Sequence, residues 1–428
     1  QGDRPQTLNI PSAAISNTTK WYAPGMTLPV AYNGGAGGAQ ITGTVQDEFI
    51  ADSATLTNNL LGTYYKKAPG TSATLTIRKT AMSDPITVDS SYWTYTAGSA
   101  TAEGGNTTSA GYGYVTIDRA KVIADKTLAA ALDAGSDNGS IYQFNYTAID
   151  PRPLGLGFLG VRDLISFFKN GAKDAQGNPN PLAGTVKYTL ATGISQSGRF
   201  LRDYLWQGFN TDAAGKQVFD GMLPLVGGSR KTYTNYRWSK PGDYSRQHET
   251  HYTPGDQFPF AYATITDPLT GKTDGLQKLC AQNNTCPKVF QYDSPIEFNG
   301  ARASLTVTDG QGKDIDIPSN VRMFYAAGTS HGPQILSANA KTLPDYSTDT
   351  RAASGAASAP GALVASTALF RSLLSNLDGW VKGTASPLPN SFPMVSDKTM
   401  AVPTSDPKSL GAPDLSGLGL GFNGGYNT

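Results

Sequence analysis

Up to about Gly139 apolar and polar residues alternate in short runs, as in Ala73-Thr-Leu-Thr-Ile-Arg78 and Gly113-Tyr-Val-Thr-Ile117, each closed by Gly, Pro, Asn or Asp. A period of two bounded by turn formers predicts β-strands, so residues 1–139 read as a β-rich N-terminal region packed on the core. From Ser140 the pattern changes. Ile141–Ile149 predicts a strand, and Leu159, Val161, Leu164, Ile165 and Phe168 fall near one face of a helix over Phe158–Lys169, which stops before Asn170-Gly171. Val186–Thr192 predicts the next strand, and Gly198–Gly208 carries Phe200, Leu201, Tyr204 and Leu205 at helical spacing. Further strands are expected at Phe219–Val226, Lys288–Tyr292 and Val321–Ala327, with a closing helix over Leu363–Val381. Strands alternating with helices imply an α/β core with a mainly parallel sheet flanked by helices, placed at 140–386. The Pro, Gly and Ser-rich stretch 387–428 reads as a C-terminal tail.

Between the strands ending near Val226 and starting at Lys288 the pattern breaks down. Residues 229–287 hold no sustained period over a length far beyond an ordinary connection. They carry Tyr233, Tyr236, Trp238, Tyr244, Tyr252, Phe258, Phe260 and Tyr262. That aromatic content points to a lid-like insertion in which Tyr236, Trp238, Phe258 and Tyr262 line a substrate site, the alternative being that the aromatic side chains cover the sheet.

Chemistry concentrates at Gly193-Ile194-Ser195-Gln196-Ser197-Gly198, between a predicted strand and a predicted helix. A serine held on a sharp strand-to-helix turn needs small residues two places before and after it, so that neighbouring backbone can approach; Gly193 and Ser197 are small, and Gly198 lies just beyond. A hydroxyl attacks only with a base in reach and a carboxylate to orient that base. The chain has three histidines: His248 and His251 lie in the aromatic stretch, while His331 follows the strand Val321–Ala327. His331 is therefore the expected base. The acid should follow the preceding strand, where Glu297 can reach the sheet edge and Asp293 adjoins the strand too closely to bend freely. The amide of Gln196 would hold the oxyanion, with a second donor from Pro153-Leu154-Gly155-Leu156, assigned to Leu156.

Around these positions Ser195-Gln-Ser-Gly-Arg-Phe-Leu-Arg-Asp-Tyr-Leu-Trp-Gln-Gly-Phe-Asn210, Val218-Phe-Asp-Gly-Met-Leu-Pro224, Gly155-Leu-Gly-Phe-Leu-Gly-Val-Arg-Asp163 and Gln257-Phe-Pro-Phe-Ala-Tyr262 resemble the bacterial α/β hydrolase domain family. The likeness extends through Val321–Gly332 and Asn390–Pro393. It implies an α/β-hydrolase fold and a serine esterase, with Ser195, Glu297 and His331 at the triad positions. Ser294-Pro-Ile-Glu-Phe-Asn-Gly300 is less typical of the family, lacking a tryptophan after the aromatic residue.

Composition narrows the setting. With 34 basic and 33 acidic side chains the net charge is +1, so no general field favours nucleic acid. No apolar run is long enough to span a bilayer, and Gln1–Ile10 lacks the features of a signal peptide, so any export signal is expected to have been removed. The only cysteines, Cys280 and Cys286, have the spacing of a small disulfide loop, which with the low charged fraction points to a secreted or periplasmic protein. Neither metal nor cofactor is expected. His248-Glu-Thr-His251 misses the spacing that puts two imidazoles on one helical face. Gly155-Leu-Gly157-Phe-Leu-Gly160 has the letters of a dinucleotide-binding loop, but Asp150-Pro-Arg-Pro-Leu154 separates it from the strand, which makes an oxidoreductase the weaker rival. A non-catalytic adhesion or carbohydrate-binding protein is the other alternative. The expected reaction is two-step hydrolysis of a small or polymeric carboxylic ester with an apolar or aromatic group.

Overall fold

The computed structural model describes residues 42–51, 60–80, 83–97, 113–149, 155–174, 176–234, 238, 257–329, 331 and 366–400. The strands are β1 (Thr42–Ile50), β2 (Leu60–Gly62), β3 (Lys66–Lys67), β4 (Ala73–Arg78), β5 (Ile86–Thr87), β6 (Trp93–Ala97), β7 (Gly113–Ile117), β8 (Ile141–Ile149), β9 (Leu190–Ile194), β10 (Gly221–Leu225), β11 (Ile265–Thr266), β12 (Thr273–Asp274), β13 (Lys288–Asp293) and β14 (Val321–Tyr325). The helices are α1 (Arg119–Ala124), α2 (Leu156–Asn170), α3 (Gln196–Trp206), α4 (Lys278–Asn283), α5 (Pro295–Gly300) and α6 (Ser366–Lys382). The chain divides into two compact units, one comprising 1–157 and 233–254, the other 158–232 and 255–428. Among the described residues no helix is long and apolar enough to cross a membrane.

The first unit is antiparallel. One sheet has the order β1-β8-β4-β5, with β3 also on β8, and the other the order β2-β7-β6. The strand Ile141–Ile149, expected to open the α/β core, is instead the centre of this sheet: it pairs with β1 from Thr42↔Ile149 to Ile50↔Ile141 and with β4 from Ala73↔Tyr146 to Arg78↔Ile141. The cause is visible in its composition. Tyr142, Phe144, Tyr146 and Ala148 point to one face and are wholly or almost wholly buried, joining Leu75, Ile77, Val115 and Ile117 in the core. Such an aromatic strand needs neighbours on both edges. Arg119 is buried without penalty because Asp137 takes both arms of its guanidinium, at 2.6 and 2.7 Å, and the Tyr142 hydroxyl donates to the same carboxylate at 2.8 Å.

The second unit holds a four-stranded sheet, β14-β13-β10-β9, parallel throughout. Alternation along β13 shows how it is covered. Phe290 and Tyr292 face α6, where Tyr292 meets Phe370 with ring centroids 5.0 Å apart and Phe290 stacks on Trp380 at 5.4 Å. Gln291, one residue out of phase, faces α3 and binds Arg202. Helices thus lie on both faces. On its other side α3 packs aromatically, with Phe158 stacked on Phe200 at 4.6 Å and on Phe209 at 5.2 Å.

The stretch expected to form a lid divides. Its described part from Gln257 onward is core of the second unit: Phe260, Ala261, Tyr262 and Leu276 are buried, β11 pairs with β12, and a disulfide joins Cys280 in α4 to Cys286 just beyond that helix. Nor is all of 387–400 a loose tail. Ser391 exchanges backbone hydrogen bonds with Met323 and Tyr325, at 3.0 and 2.7 Å, and so continues the sheet beyond β14.

Candidate active site

All four parallel strands deliver their C-terminal ends to one crest, where loops of open α/β sheets carry ligands and chemistry. Ser195 follows β9 and caps α3 with φ 58 and ψ −117, a conformation that L-residues avoid. Its amide donates to the Leu225 carbonyl at 2.8 Å, which ties the turn to β10. Two glycines make the turn possible. A Cβ on Gly193 would collide with the Ser197 carbonyl, and one on Gly198 would lie 2.8 Å from the Leu225 oxygen. The sequence pattern places the second small residue at Ser197; the backbone approach that demands smallness is at Gly198.

His331 lies between the two other expected partners. Its Nε2 is 2.7 Å from Ser195 Oγ and its Nδ1 is 2.5 Å from Glu297 Oε1. The protonation pattern follows from Glu297. Burial works to raise its carboxyl, but hydrogen bonds from His331 and from the Ser294 hydroxyl and amide outweigh burial and hold it below its ordinary value. An ionised carboxylate only accepts, so Nδ1 carries the hydrogen and Nε2 is left to accept from the serine hydroxyl. Glu297 is 2% exposed, whereas the His331 side chain is 39% exposed: a buried carboxylate is bonded to an open imidazole.

Glu297 was expected on a loop. It stands instead at the third position of α5 in a capping box: Ile296 donates its amide to Ser294 Oγ at 3.2 Å, while Glu297 Oε2 accepts the Ser294 amide at 3.0 Å. The Ser294-x-x-Glu297 spacing announces that helix in the sequence. Asp293, the other candidate acid, ends β13 and is engaged elsewhere: its Oδ1 accepts the Gly228 amide at 2.9 Å and its Oδ2 accepts from Gln291 Nε2 at 2.6 Å. Desolvation pushes its carboxyl up to about 6.

Gln196 is the first residue of α3, where a backbone N–H has no carbonyl inside the helix to bond. Leu156 is the first residue of α2, and Gly157 and Gly160 lie within that helix rather than in a loop before it. Of the aromatic residues expected to meet substrate, Tyr262 is a core residue, 3% exposed, with its hydroxyl donating to Gln291 Oε1 at 2.7 Å. Trp238 packs into the first unit's core with its ring 4.9 Å from that of Tyr65. Tyr262 is thus held in the core, while Trp238 is only partly buried. Phe258 is half-buried beside Phe260, at 6.1 Å, and Tyr236, His248 and His251 lie outside the described residues. Among the described residues no group of His, Cys, Asp and Glu is placed to hold a metal ion.

A residue the sequence reading did not select is Thr329, whose hydroxyl pairs with that of Tyr292 two residues before His331. Neither curated proteins nor solved structures yielded a match. A family model described as α/β hydrolase domain matches residues 91–411, three-quarters of the chain, a range that includes Ser195, Glu297 and His331. The parallel sheet, the strained serine and this match point to a hydrolytic enzyme: the chain belongs to the α/β hydrolase domain family.

Proposed function

We propose that the protein is a serine hydrolase that cleaves carboxylic esters through Ser195, His331 and Glu297. The observation that carries this reading is the position of His331, 2.7 Å from Ser195 Oγ on one nitrogen and 2.5 Å from Glu297 on the other. His331 takes the Ser195 proton as Oγ attacks the ester carbonyl, and Glu297 stabilises the imidazolium that forms. The Gln196 amide, free of a helical partner and beside the nucleophile, receives the developing oxyanion. Collapse of that intermediate breaks the bond to the alcohol, which leaves with the proton from His331. His331 then draws a proton from the water that attacks the acyl-enzyme, and returns it to Ser195 Oγ as the acyl–Oγ bond breaks and the acid is released. No step requires a cofactor. Ile194 and Ile296, beside the serine and the acid in sequence, are 44% and 49% exposed, which favours an apolar or aromatic group on the ester. The disulfide supports a secreted or periplasmic location.

A fluorophosphonate probe tests the reading. It should label the wild type at Ser195, as located by peptide mass, and fail to label Ser195→Ala. Labelling at Ser197, or equal labelling of Ser195→Ala, would remove Ser195 from the role. Turnover of a panel of aryl and alkyl esters then separates the substrate class from the reaction.

A further inference from the structure

Beneath the crest runs a second polar chain that acyl transfer does not use. Gln291, wholly buried in β13, joins Arg202 on α3 to Asp293 at the end of its own strand. Its Oε1 accepts from Arg202 Nη1 at 2.6 Å and from the Tyr262 hydroxyl at 2.7 Å. Its Nε2 donates to Asp293 Oδ2 at 2.6 Å and to the Gly228 carbonyl at 3.1 Å. Asp293 Oδ1 then accepts the Gly228 amide at 2.9 Å.

The polarity of this chain is forced. A guanidinium can only donate, so the oxygen of Gln291 must face Arg202 and its NH2 must face Asp293. Asp293 thus meets a donor on each oxygen. An ionised carboxylate accepts both, while a protonated acid or an Asn would set its own hydrogen against one of them.

What the chain connects gives it a role. Arg202 lies two turns along α3 from the Ser195 cap, and Asp293 leads directly into the turn that carries Glu297. Between them Gly228 belongs to the crest of β10, where Val226 holds φ 47 and Gly228 φ 59. A β-branched residue at positive φ persists only where its surroundings over-determine it. The bonds that do so are Val226 N–H to the Tyr292 carbonyl at 2.7 Å and those of Gly228 to Asp293 and Gln291. The same crest supplies the Leu225 carbonyl that receives the Ser195 amide.

We propose that Asp293 is a positioning residue: at the end of the chain Arg202–Gln291–Asp293–Gly228, its carboxylate fixes α3 and Ser195 against the turn bearing Glu297. It thereby keeps serine, histidine and acid within hydrogen-bond reach. The proposal rests on the acyl-transfer reading above. The titratable and charged groups facing Asp293 are Glu297 on α5, Arg202 on α3, Tyr262 from the segment before β11, Tyr292 on its own strand and Tyr325 opposite it on β14. Glu297 opposes its ionisation, while Arg202, Gln291 and Gly228 favour it.

The test compares wild type, Asp293→Asn and the double variant Asp293→Asn/Gln291→Glu. The double variant returns one carboxylate to the chain and reverses its direction, so that position 291 accepts from both side-chain neighbours and gives up only the bond to the Gly228 carbonyl. Two quantities are read: kcat and KM for a soluble aryl ester between pH 5 and 9, and the downfield proton resonance of the His331 Nδ1–H to Glu297 bond. Asp293→Asn should lower kcat by about 100-fold, the scale of a misplaced catalytic group, with KM within about twofold. The acid limb of log kcat should be steeper in wild type than one proton can produce, and should fall to a slope of one in Asp293→Asn. The double variant should recover kcat by about tenfold or more and restore the resonance. In wild type the resonance should also move as pH passes through about 6, and that movement should be lost or displaced in Asp293→Asn. Overturning results are kcat within about twofold in Asp293→Asn, or a resonance indifferent to Asp293 and to pH 6. Should Ser195 resist the fluorophosphonate, the acyl-transfer reading fails, and the resonance still decides whether Asp293 sets the His331–Glu297 bond.

Discussion

The hydroxyl of Tyr292 lies 2.7 Å from that of Thr329, and its direction is fixed because Thr329 spends its own hydrogen on the Ala326 carbonyl at 2.7 Å. Tyr292 therefore donates, and a buried strand residue holds the turn two places before His331. Tyr292→Phe keeps the ring against Phe370 and removes only the tether. Loss of a buried hydrogen bond worth about 1 kcal/mol should lower the thermal midpoint slightly and kcat by up to about fivefold, with KM nearly unchanged. Stopped-flow acylation of the wild type and variant would measure it; equal rates would mean that the turn is held without Tyr292.

Glu297→Gln separates two duties of one side chain. The amide oxygen can still accept from the Ser294 amide and hydroxyl, so the capping box survives. The NH2 then faces His331 Nδ1, where two donors meet and the imidazole must take the other tautomer. Turnover should fall by up to about four orders of magnitude, as in other wrong-tautomer triads, while thermal stability changes little. A comparison with Asp293→Asn orders the two acids: a larger loss for Asp293→Asn would transfer the orienting role to Asp293.

Gly198→Ala should strain the elbow more than any change at Ser197. An added Cβ would lie 2.8 Å from the Leu225 oxygen and 3.1 Å from that of Gly193, both backbone atoms that cannot swing aside. Overpacking of this kind costs about 1–3 kcal/mol. A lower denaturant midpoint with unchanged slope is the expected signature for Gly198→Ala, and Ser197→Ala should match wild type. Equal midpoints for all three proteins would show that α3 can retreat from β10.

The two acids bend stability in opposite directions. Asp293 titrates at about 6 in the fold against an ordinary 3.8, so between these values the folded state binds the proton more tightly. Its contribution to stability is therefore largest at low pH and declines by up to about 3 kcal/mol as pH rises through 6. Glu297, held below its ordinary value, contributes stability that is present above that value and lost as pH falls through its folded titration. Thermal melts should show wild type gaining on Asp293→Asn from pH 7 to pH 5. A constant gap would mean that Asp293 does not titrate in this window.

The parts legible in the sequence are those with local causes. The periodicity of β9 and α3 and the need for small residues about Ser195 place the elbow, and strand order alone brings Glu297 and His331 to the same edge. Ser294-x-x-Glu297 was equally readable as a helix start, although the acid was expected on a loop. The rest was not local. Arg202 and Lys231 are charged residues with no exposure at all, accommodated by carbonyls of Phe260, Gln257 and Pro259 far away in the chain. Tyr262 has the profile of a lid aromatic until Gln291 is found to receive its hydroxyl. Ile141–Ile149 fits either sheet by pattern, and only the partners β1 and β4 decide.

Because one carboxylate both closes α5 and faces His331, loss of its charge cannot remain a matter of titration alone. A helix of six residues has few bonds of its own, and its first turn leans on that carboxylate. Acid inactivation is then accompanied by a loosening of that turn, because a neutral carboxyl accepts the Ser294 amide less strongly than a carboxylate does. Amide exchange at Ser294 and Ile296 would quicken together with the fall in activity, and both would reverse together on neutralisation.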